Sequence, residues 1–339
     1  GNKTTYYFRG DVTNNYVKFA SQTRNTCKYS GEDVAYYDSE SIEFVYNPTE
    51  EQCLSTNVCT NTPYGNIVGI DDTACTNIEG TATGEKATFT ANVIEDILWR
   101  VVRINEDGST RLITETPVGS SAFNTNYNDN AYVGYMYGTA GSSTYEATHA
   151  NTNNSTIKTY LDNWYQENLL SYLSYMSLDA GFCNDRSRLS DGDVHYGVVG
   201  RLATGAIQPQ FACPQINDLF TTSTSLKGNK SLTYPVGLIT LDEVVYAGGV
   251  FFGDANPSYY LNNKTFYWTM TPFDFNGGGV SLGAIYGEAT CDFGSDPDSD
   301  RVGVGCSNVM ISVRPVINLA SYVEITSGDG TIDNPYIVK

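Results

Sequence analysis

The clearest alternation of apolar and polar positions lies in residues 96–115. Asp96-Ile-Leu-Trp-Arg-Val-Val-Arg-Ile leads to a turn at Asp107-Gly108, and Ser109-Thr-Arg-Leu-Ile-Thr follows it. A period of two is typical of β-strands, and Asp-Gly is a strong hairpin-turn signal. The pattern therefore predicts an antiparallel strand pair.

A helical period appears over residues 155–170. Ile157, Leu161 and Trp164 recur at i, i+4 and i+7, which places them on one face of a helix. Ser155 precedes them and is suited to the N-cap position. The spacing predicts an amphipathic helix that buries this face.

A second helix is predicted to begin at Thr240. Thr240-Leu-Asp-Glu243 matches a capping box, and Gly248-Gly249 is suited to end the helix. Further strands are expected at 266–271, 311–319 and 335–338. Two helices among many short strands predict a mixed α+β fold.

The N-terminal residues and the segment after them differ in character. Residues 5–9 and 16–20 are rich in β-formers and are separated by turn residues, so residues 1–20 predict a hairpin. Residues 21–95 have short apolar runs and many Gly, Asn and Thr residues. We expect 21–95 to be a disulfide-stapled insertion or subdomain, and 96–339 to form the main domain together with the hairpin.

Residues 273–308 predict a long irregular loop between two strands. They are rich in Gly, Asp, Ser and Asn, with isolated aromatic residues. A loop of this length in a compact domain is often functional, and aromatic anchors among adaptable polar residues are typical of binding surfaces. The alternative is that the aromatic residues face the core.

The chain has eight cysteines, none in a CxxC motif, and two histidines. This usage favours disulfides formed in an oxidising compartment over zinc sites. Cys183 and Cys213 flank one loop and are expected to pair, and a bridge between Cys291 and Cys306 would close the 273–308 loop. Four cysteines allow three pairings, so the pairing stays open for those in 21–95: Cys27, Cys53, Cys59 and Cys75.

The charge balance excludes some partners. The chain carries 38 acidic and 19 basic residues, a formal net charge of -19. Nucleic acids and anionic membrane surfaces need clustered cations, so neither is an expected partner. No apolar run reaches the roughly 20 residues of a membrane span. The chain begins at Gly1 as though a targeting segment had been removed, so we expect an exported fragment.

Candidate chemistry in the sequence is sparse. His149 and His195 have no nucleophile at triad spacing, so no enzyme is expected. Arg314 lies in an apolar strand and is expected to be buried against a carboxylate. We expect the three tryptophans to lie in the core: Trp99, Trp164 and Trp268.

One acidic run gives the only metal candidate. Oxygen ligands at alternate positions suit calcium, and the run comprises Asp292, Asp296, Asp298 and Asp300. The run lacks the Gly and terminal Glu of the helix-loop-helix calcium motif, which favours a solvated acidic turn. No other cofactor is expected.

A set of motifs resembles a bacterial surface-protein family. The motifs are YYFRGDVTNNYVKFA (6–20), WRVVRINEDGSTRLI (99–113), YNDNAYVGYMYG (127–138), STIKTYLDNWYQENL (155–169), GFCNDRS (181–187), FACPQINDLFT (211–221), LTYPVGLITLDEVVYAGG (232–249), FYWTMTP (266–272), VRPVINL (313–319) and SGDGTIDNPYIV (327–338). The resemblance implies a C-type-lectin-like fold of the formylglycine-generating-enzyme branch, displayed at the cell surface or on a pilus. The chain departs from the family by lacking a prepilin-type hydrophobic segment and by carrying 21–95.

The resemblance also bears on chemistry and variation. Formylglycine chemistry needs a closely spaced reactive cysteine pair, whereas Cys291 and Cys306 lie fifteen positions apart in an acidic segment, so a structural disulfide is expected. Some similar proteins are diversified by an adenine-directed mutagenic element that cannot generate Lys, Glu, Gln, Met or Trp. Glu288 alone represents these types in 273–308, which suggests the hypothesis of a diversified loop.

The expected function is non-enzymatic recognition or adhesion outside the cell, with a surface protein or glycan as ligand. The expected ligand contacts in the loop are Phe273, Asp274, Phe275, Asn276, Tyr286, Phe293 and Arg301. The alternative is a structural subunit of an extracellular filament or pilus that self-assembles through residues 1–95, for example by strand addition at a sheet edge.

Overall fold

The computed structural model describes residues 4–29, 35–38, 43–46, 57–62, 65–69, 87–189, 195–203, 206–251, 256–276, 279–285, 288–290, 294–296 and 302–339. The chain divides into two compact units. One unit comprises Gly1–Ala20 with Ile97–Lys339, and the other comprises Ser21–Asp96. Among the described residues the fold is mixed α+β, with few helices and several sheets.

The α-helices are α1 (Tyr145–Thr148), α2 (Thr156–Asn168) and α3 (Leu241–Ala247), with 3-10 turns at Asn130–Val133, Leu170–Tyr175 and Ile216–Asp218 and a π turn at Val199–Ala203. The strands are β1 (Tyr6–Tyr7), β2 (Tyr16–Tyr29), β3 (Ala35–Asp38), β4 (Glu43–Tyr46), β5 (Asn57–Thr62), β6 (Gly65–Gly69), β7 (Ala87–Ile104), β8 (Thr110–Thr114), β9 (Ser120–Ser121), β10 (Met136–Tyr137), β11 (Asn153–Asn154), β12 (Phe182–Cys183), β13 (Leu219–Phe220), β14 (Tyr267–Asn276), β15 (Gly279–Ile285), β16 (Glu288–Thr290), β17 (Gly294–Asp296), β18 (Val302–Cys306), β19 (Ile311–Ser312), β20 (Val316–Leu319), β21 (Ile325–Ser327) and β22 (Tyr336–Val338).

The first large sheet has the order β20-β8-β7-β2-β22-β21, and β1 also pairs with β7. The predicted hairpin at its centre is confirmed, since β7 and β8 pair antiparallel from Trp99 opposite Thr114 to Ile104 opposite Thr110. Gly108 has a φ of 83°, a left-handed value that glycine adopts without a Cβ clash. The Asp-Gly signal therefore marks the turn of this pair.

The predicted N-terminal hairpin is wrong. β1 pairs with β7, through Tyr6 opposite Ile104, and β2 lies between β7 and β22. The reason lies in Asn15, which is buried and donates from Nδ2 to the Val101 carbonyl at 2.9 Å. Arg100 Nε donates to Asn15 Oδ1 at 2.6 Å. These bonds fasten the expected turn segment to β7, so β1 and β2 do not pair with each other.

The expected irregular loop over 273–308 is also wrong for the described part of that range. The described part of 273–308 continues β14 and supplies β15 and β18. These strands belong to a second large sheet of order β17-β16-β18-β15-β14-β19-β9. Every residue of β15 and of β18 is buried. The small residues are thus strand positions in the interior.

Two glycines explain how these strands fit. A Cβ on Gly283 would lie 2.4 Å from Leu241 Cδ1, and a Cβ on Gly305 would lie 2.7 Å from Trp268 Cη2. Glycine in a strand often marks the close approach of another element. The glycines therefore allow α3 and Trp268 to pack directly on the sheet.

We expect Gly305→Val to lower the free energy of unfolding by about 1–3 kcal/mol, because overpacking displaces well-packed neighbours. The side chains in the way are those of Trp268 and Ile311, whose Cδ1 would lie 2.8 Å from the new Cβ. Urea denaturation of the full chain measures the change. Ser143→Val, at an exposed loop position, is the control, and equal losses for both variants would contradict the packing role of Gly305.

The two predicted helices are confirmed. α2 begins after Ser155, whose Oγ accepts from the Lys158 backbone N–H at 3.2 Å, and it buries Ile157, Leu161 and Trp164. α3 has the predicted capping box and ends at Gly248, with a φ of 115°. One continuous core contains all three tryptophans together with residues of both large sheets, as predicted.

The predicted strand over 311–319 is broken by Arg314. Its two parts, β19 and β20, belong to different large sheets. Arg314 is buried, as expected, and its Nη2 lies 3.8 Å from Glu115 Oε2. Its Nε also donates to the Thr114 carbonyl at 2.7 Å, and its guanidinium lies over the Tyr267 ring. Arg314 thus joins β8 to β14 at the point where the chain changes sheet.

The second unit contains a four-stranded sheet of order β4-β3-β6-β5. β3 pairs antiparallel with β4 and parallel with β6, and β5 pairs antiparallel with β6. Cys27 lies in β2, and Cys59 lies in β5 opposite Ile67. Cys53 and Cys75 lie outside the described residues, so the pairing of these four cysteines stays a prediction.

Candidate functional site

The aromatic residues at the start of the expected binding loop pack inward. The Phe273 ring is partly buried, 5.7 Å from the Phe251 ring and 6.1 Å from the His195 ring. Phe275 packs against a small buried cluster around Val133 and Tyr196. Both rings therefore support the sheet, which corresponds to the alternative reading of these aromatic residues as core-facing.

The other expected ligand contacts divide into two groups. Asp274 is buried and its Oδ1 accepts a hydrogen bond of 2.5 Å from Ser281 Oγ, while the backbone of Asn276 ends β14. Tyr286, Phe293 and Arg301 lie outside the described residues. The structure therefore brings Phe273, Asp274 and Phe275 to one buried strand and leaves the rest as predictions.

The metal candidate falls mainly outside the described residues. Asp296 is the last residue of β17, and the other three lie outside those ranges: Asp292, Asp298 and Asp300. Within the described ranges, no group of three or more His, Cys, Asp or Glu side chains is placed to hold a metal ion. The calcium site stays a prediction.

The disulfide between Cys183 and Cys213 is confirmed, with an S–S distance of 2.05 Å. Cys306 is disulfide-bonded, while its expected partner Cys291 lies outside the described residues. The confirmed bridge fastens the segment 210–214 to β12. Both segments form walls of a cavity.

This cavity, of about 420 Å³, lies within the first unit and was missed by the sequence analysis. Its walls come from the β7–β8 turn region, the segment 179–185, the segment 210–214 and the start of α3. The charged residues that line it are Arg103, Glu106, Asp107, Arg111, Asp179, Asp185, Arg201, Lys227, Asp242 and Glu243. Its volume falls in the ordinary range for small-molecule sites.

One ion-pair group in the cavity, the Glu243 triad, comprises Glu243, Arg103 and Arg111. Glu243 Oε1 lies 2.6 Å from Arg111 Nε and 3.0 Å from Arg103 Nε, while Oε2 accepts from the Thr240 N–H at 2.9 Å. Burial raises the pKa of Glu243, but Arg111 and Arg103 outweigh it and hold the pKa below its ordinary value. Burial lowers the pKa of Arg111 to about 10, so Arg111 and Glu243 are both charged at neutral pH.

A second group, the Arg201 triad, comprises Arg201, Asp185 and Asp242. Arg201 donates from Nε and Nη2 to the two oxygens of Asp242, each at 3.0 Å, and from Nη1 to Asp185 Oδ2 at 2.7 Å. Burial lowers the pKa of Arg201, but hydrogen bonds and charge from Asp242 and Asp185 outweigh it and raise the pKa above its ordinary value. Two-pronged pairing of this kind fixes the orientation of both partners.

Arg103 differs from the other arginines of the cavity. Its guanidinium lies 4.7 Å from the centre of the Phe211 ring, which stacks on Tyr246. Its Nε faces Glu243, but among the described residues no protein group accepts a hydrogen bond from its Nη1 or Nη2. Its side chain is 14% exposed. Arg103 therefore lines the cavity with donors that no group in the described part of the chain accepts from.

A local signal for this site exists in the sequence. Arg100 and Arg103 are three positions apart, so strict alternation would place them on opposite faces of β7. A register shift between Val101 and Arg103 interrupts that alternation, and bulges of this kind redirect side chains. The capping box predicts only the start of a helix, but its Glu243 also lines the cavity.

In the part of the chain that the structure describes, no helix has both the length and the apolar character needed to cross a membrane. Comparison with protein-family models, with curated proteins and with solved structures found no match.

Proposed function

We propose that the chain is a non-enzymatic recognition module that acts outside the bacterial cell and binds its ligand in the cavity lined by the Glu243 and Arg201 triads. The observation that carries the proposal is Arg103, which lines a cavity of about 420 Å³ and whose terminal nitrogens have no protein acceptor among the described residues. Ordered donors without such an acceptor are suited to a ligand.

The pairing of the charged groups favours binding over catalysis. A general base works best with a pKa near the working pH, whereas the pKa of Glu243 is lowered from its ordinary value. Asp185 and Asp242 are both held by Arg201. Charged groups held in fixed ion pairs are suited to orienting a ligand.

Three features support an exported protein of C-type-lectin-like fold. The confirmed disulfide is typical of oxidising compartments. The mixed α+β architecture, with α2 and α3 at the expected positions, agrees with what the motif resemblance implies. The acidic composition suits a soluble surface rather than binding to nucleic acid.

The proposed contact surface differs from the one expected from the sequence. Phe273, Asp274 and Phe275 are committed to packing and hydrogen bonding in β14. The expected contacts at Tyr286, Phe293 and Arg301, and diversification of their segment, remain separate predictions. Ligand contact through the cavity does not depend on them.

Filling the cavity tests the proposal. Ala212 lines it and is exposed, so Ala212→Trp adds bulk without disturbing the core. On an array of glycans and short peptides, we expect this variant of the full chain to lose at least about tenfold in affinity for the ligands of the natural chain, or 1.4 kcal/mol.

The control is Ala150→Trp, at an exposed position that does not line the cavity, which should bind as the natural chain does. Equal binding by both variants would contradict the cavity as the ligand site. Mass spectrometry of the recovered ligand tests the other half of the proposal, because chemical conversion of the ligand would show an enzyme.

A further inference from the structure

The two triads of the cavity carry opposite residual charges. Arg103 and Arg111 share one carboxylate, that of Glu243, which leaves one positive charge. Asp185 and Asp242 share one guanidinium, that of Arg201, which leaves one negative charge. The triads are adjacent because Asp242 and Glu243 are consecutive residues, with Cα atoms about 3.8 Å apart. The cavity wall is therefore charged in two neighbouring patches of opposite sign.

The positive patch has its open donors on Arg103. Arg111 already donates from Nη1 to the Gly181 carbonyl at 3.1 Å and from Nη2 to the Leu238 carbonyl at 3.3 Å. Arg103 Nη1 and Nη2 have no such acceptor among the described residues. A guanidinium with two terminal nitrogens available matches the two oxygens of a carboxylate.

The negative patch retains capacity to accept hydrogen bonds. Asp185 Oδ1 accepts from the Ser187 backbone N–H at 3.1 Å, and its Oδ2 accepts from Arg201. Asp242 Oδ2 accepts from Arg201 Nη2. Each carboxylate oxygen can accept two hydrogen bonds, so an ammonium group can bind these oxygens while the Arg201 contacts persist.

The surrounding charge favours a ligand without net negative charge. Outside the triads, three carboxylates and one cation line the cavity, namely Glu106, Asp107, Asp179 and Lys227, and the chain as a whole carries a charge of -19. These carboxylates repel a dianion such as phosphate more strongly than a single carboxylate. A ligand with one negative and one positive charge would match both patches.

We propose that the cavity binds a zwitterionic amino acid or a similarly small amino-acid-like compound, with its carboxylate on Arg103 and its ammonium group toward Asp185 and Asp242. This assignment rests on the proposed function, since it names the ligand class of the same cavity. The floor of the carboxylate subsite is Phe211, which the Arg103 guanidinium covers.

Calorimetry on the full chain tests the ligand class. The probes are the common L-amino acids and, for each one that binds, its carboxamide and its N-acetyl derivative, which lack one charge each. At least one amino acid is expected to bind, and both derivatives should bind at least about tenfold more weakly. Inorganic phosphate and neutral monosaccharides serve as competing classes.

Arg103→Gln is expected to abolish amino-acid binding, and Arg103→Lys, which keeps the charge but loses the two-pronged geometry, should weaken it about tenfold. Arg188→Gln is the matched control, because Arg188 is exposed and does not line the cavity. Far-ultraviolet circular dichroism checks that each variant is folded. If Arg103→Gln fails to fold, the Arg103→Lys variant and the ligand derivatives still test whether the cavity binds a zwitterion.

Three results would each overturn the zwitterion assignment. The first is that no amino acid binds at concentrations up to about 10 mM, which covers very weak affinities. The second is that a singly charged derivative binds as well as its parent, and the third is that phosphate or a sugar binds in place of amino acids. Loss of array binding in Ala212→Trp would leave the proposed function standing in each case. Both proposals fail together only if array binding is also unaffected by Ala212→Trp.

Discussion

Replacing Glu243 by alanine is expected to lower the free energy of unfolding by about 3–5 kcal/mol, the usual cost of removing one partner of a buried ion pair. Glu243 and Arg111 have side-chain exposures of 3% and 1%, so water cannot compensate the stranded guanidinium. The change also removes half of the capping box of α3, which adds about 1 kcal/mol or less. Urea denaturation with linear extrapolation measures the loss.

Glu324→Ala is the control for this prediction. Glu324 is exposed, and its backbone N–H and carbonyl, rather than its side chain, pair with Lys339. Its replacement is expected to change stability by less than about 0.5 kcal/mol. If Glu243→Ala were as mild as this control, the Glu243 triad would contribute nothing to the fold.

Replacing Arg186 by methionine is expected to cost about 3–5 kcal/mol as well, because it leaves a buried carboxylate without a counter-charge. Asp218 is 0% exposed, and its Oδ1 accepts from Arg186 Nε at 2.8 Å. Thermal and urea denaturation of the variant should both show the loss. Arg188→Met, two positions away and exposed, should stay within about 0.5 kcal/mol of the natural chain.

The double variant Arg186→Met with Asp218→Leu separates the ion pair from the space it fills. It should regain most of the lost stability, because an apolar pair of similar volume avoids the stranded charge. Recovery should be incomplete, since the Met136 carbonyl and Asn151 Oδ1 also lose their donor on Arg186. A double variant no more stable than Arg186→Met would contradict the stranded-charge account.

The buried, unpaired carboxylate of Asp218 determines how the stability of Arg186→Met depends on pH. Burial raises the pKa of Asp218 even beside Arg186, and loss of the cation raises it further. A folded-state pKa above the unfolded one means that ionisation costs stability as the pH rises through it. The deficit of Arg186→Met relative to the natural chain should therefore shrink as the pH is lowered through that raised pKa.

Local chemistry was sufficient to predict several elements. The capping box at Thr240 and the N-cap at Ser155 mark helix starts because each satisfies backbone N–H groups within three residues. Asp107-Gly108 marks the β7–β8 turn for a similarly local reason. The burial of Arg314 followed from one charged residue in an apolar strand. In each case the residues on which the prediction depends lie close together in sequence.

Packing over long separations explains what the sequence did not predict. Glycines in 273–308 resemble loop glycines in composition, but Gly283 and Gly305 are required by Leu241 and Trp268, which are distant in sequence. The sequence predicts Asn15 to be a turn residue, whereas its partners Arg100 and Val101 lie more than eighty positions away. Composition cannot distinguish these roles.

The cavity was missed for a related reason. Its charged residues come from five separate segments of the chain, and no spacing relates Arg103 to Asp185 or to Arg201. Each residue alone resembles an ordinary surface charge. Only the fold brings these charges together, so the motifs do not reveal the cavity, although the capping box contains one of its lining residues, Glu243.

The pairing of β2 with β22 has a consequence for how the chain acquires its structure. Val17 lies opposite Tyr336 in this parallel pair, so neighbouring strands come from nearly opposite ends of the sequence. Contacts between residues so far apart raise the contact order. High contact order slows folding, because the ends of a very long segment must come together before their pairing contributes any stability. During synthesis, the edge of β2 that β22 covers stays uncovered until residues 336–338 have emerged. The first unit therefore completes its sheet as a late step, and until then that edge is open to strands of other chains.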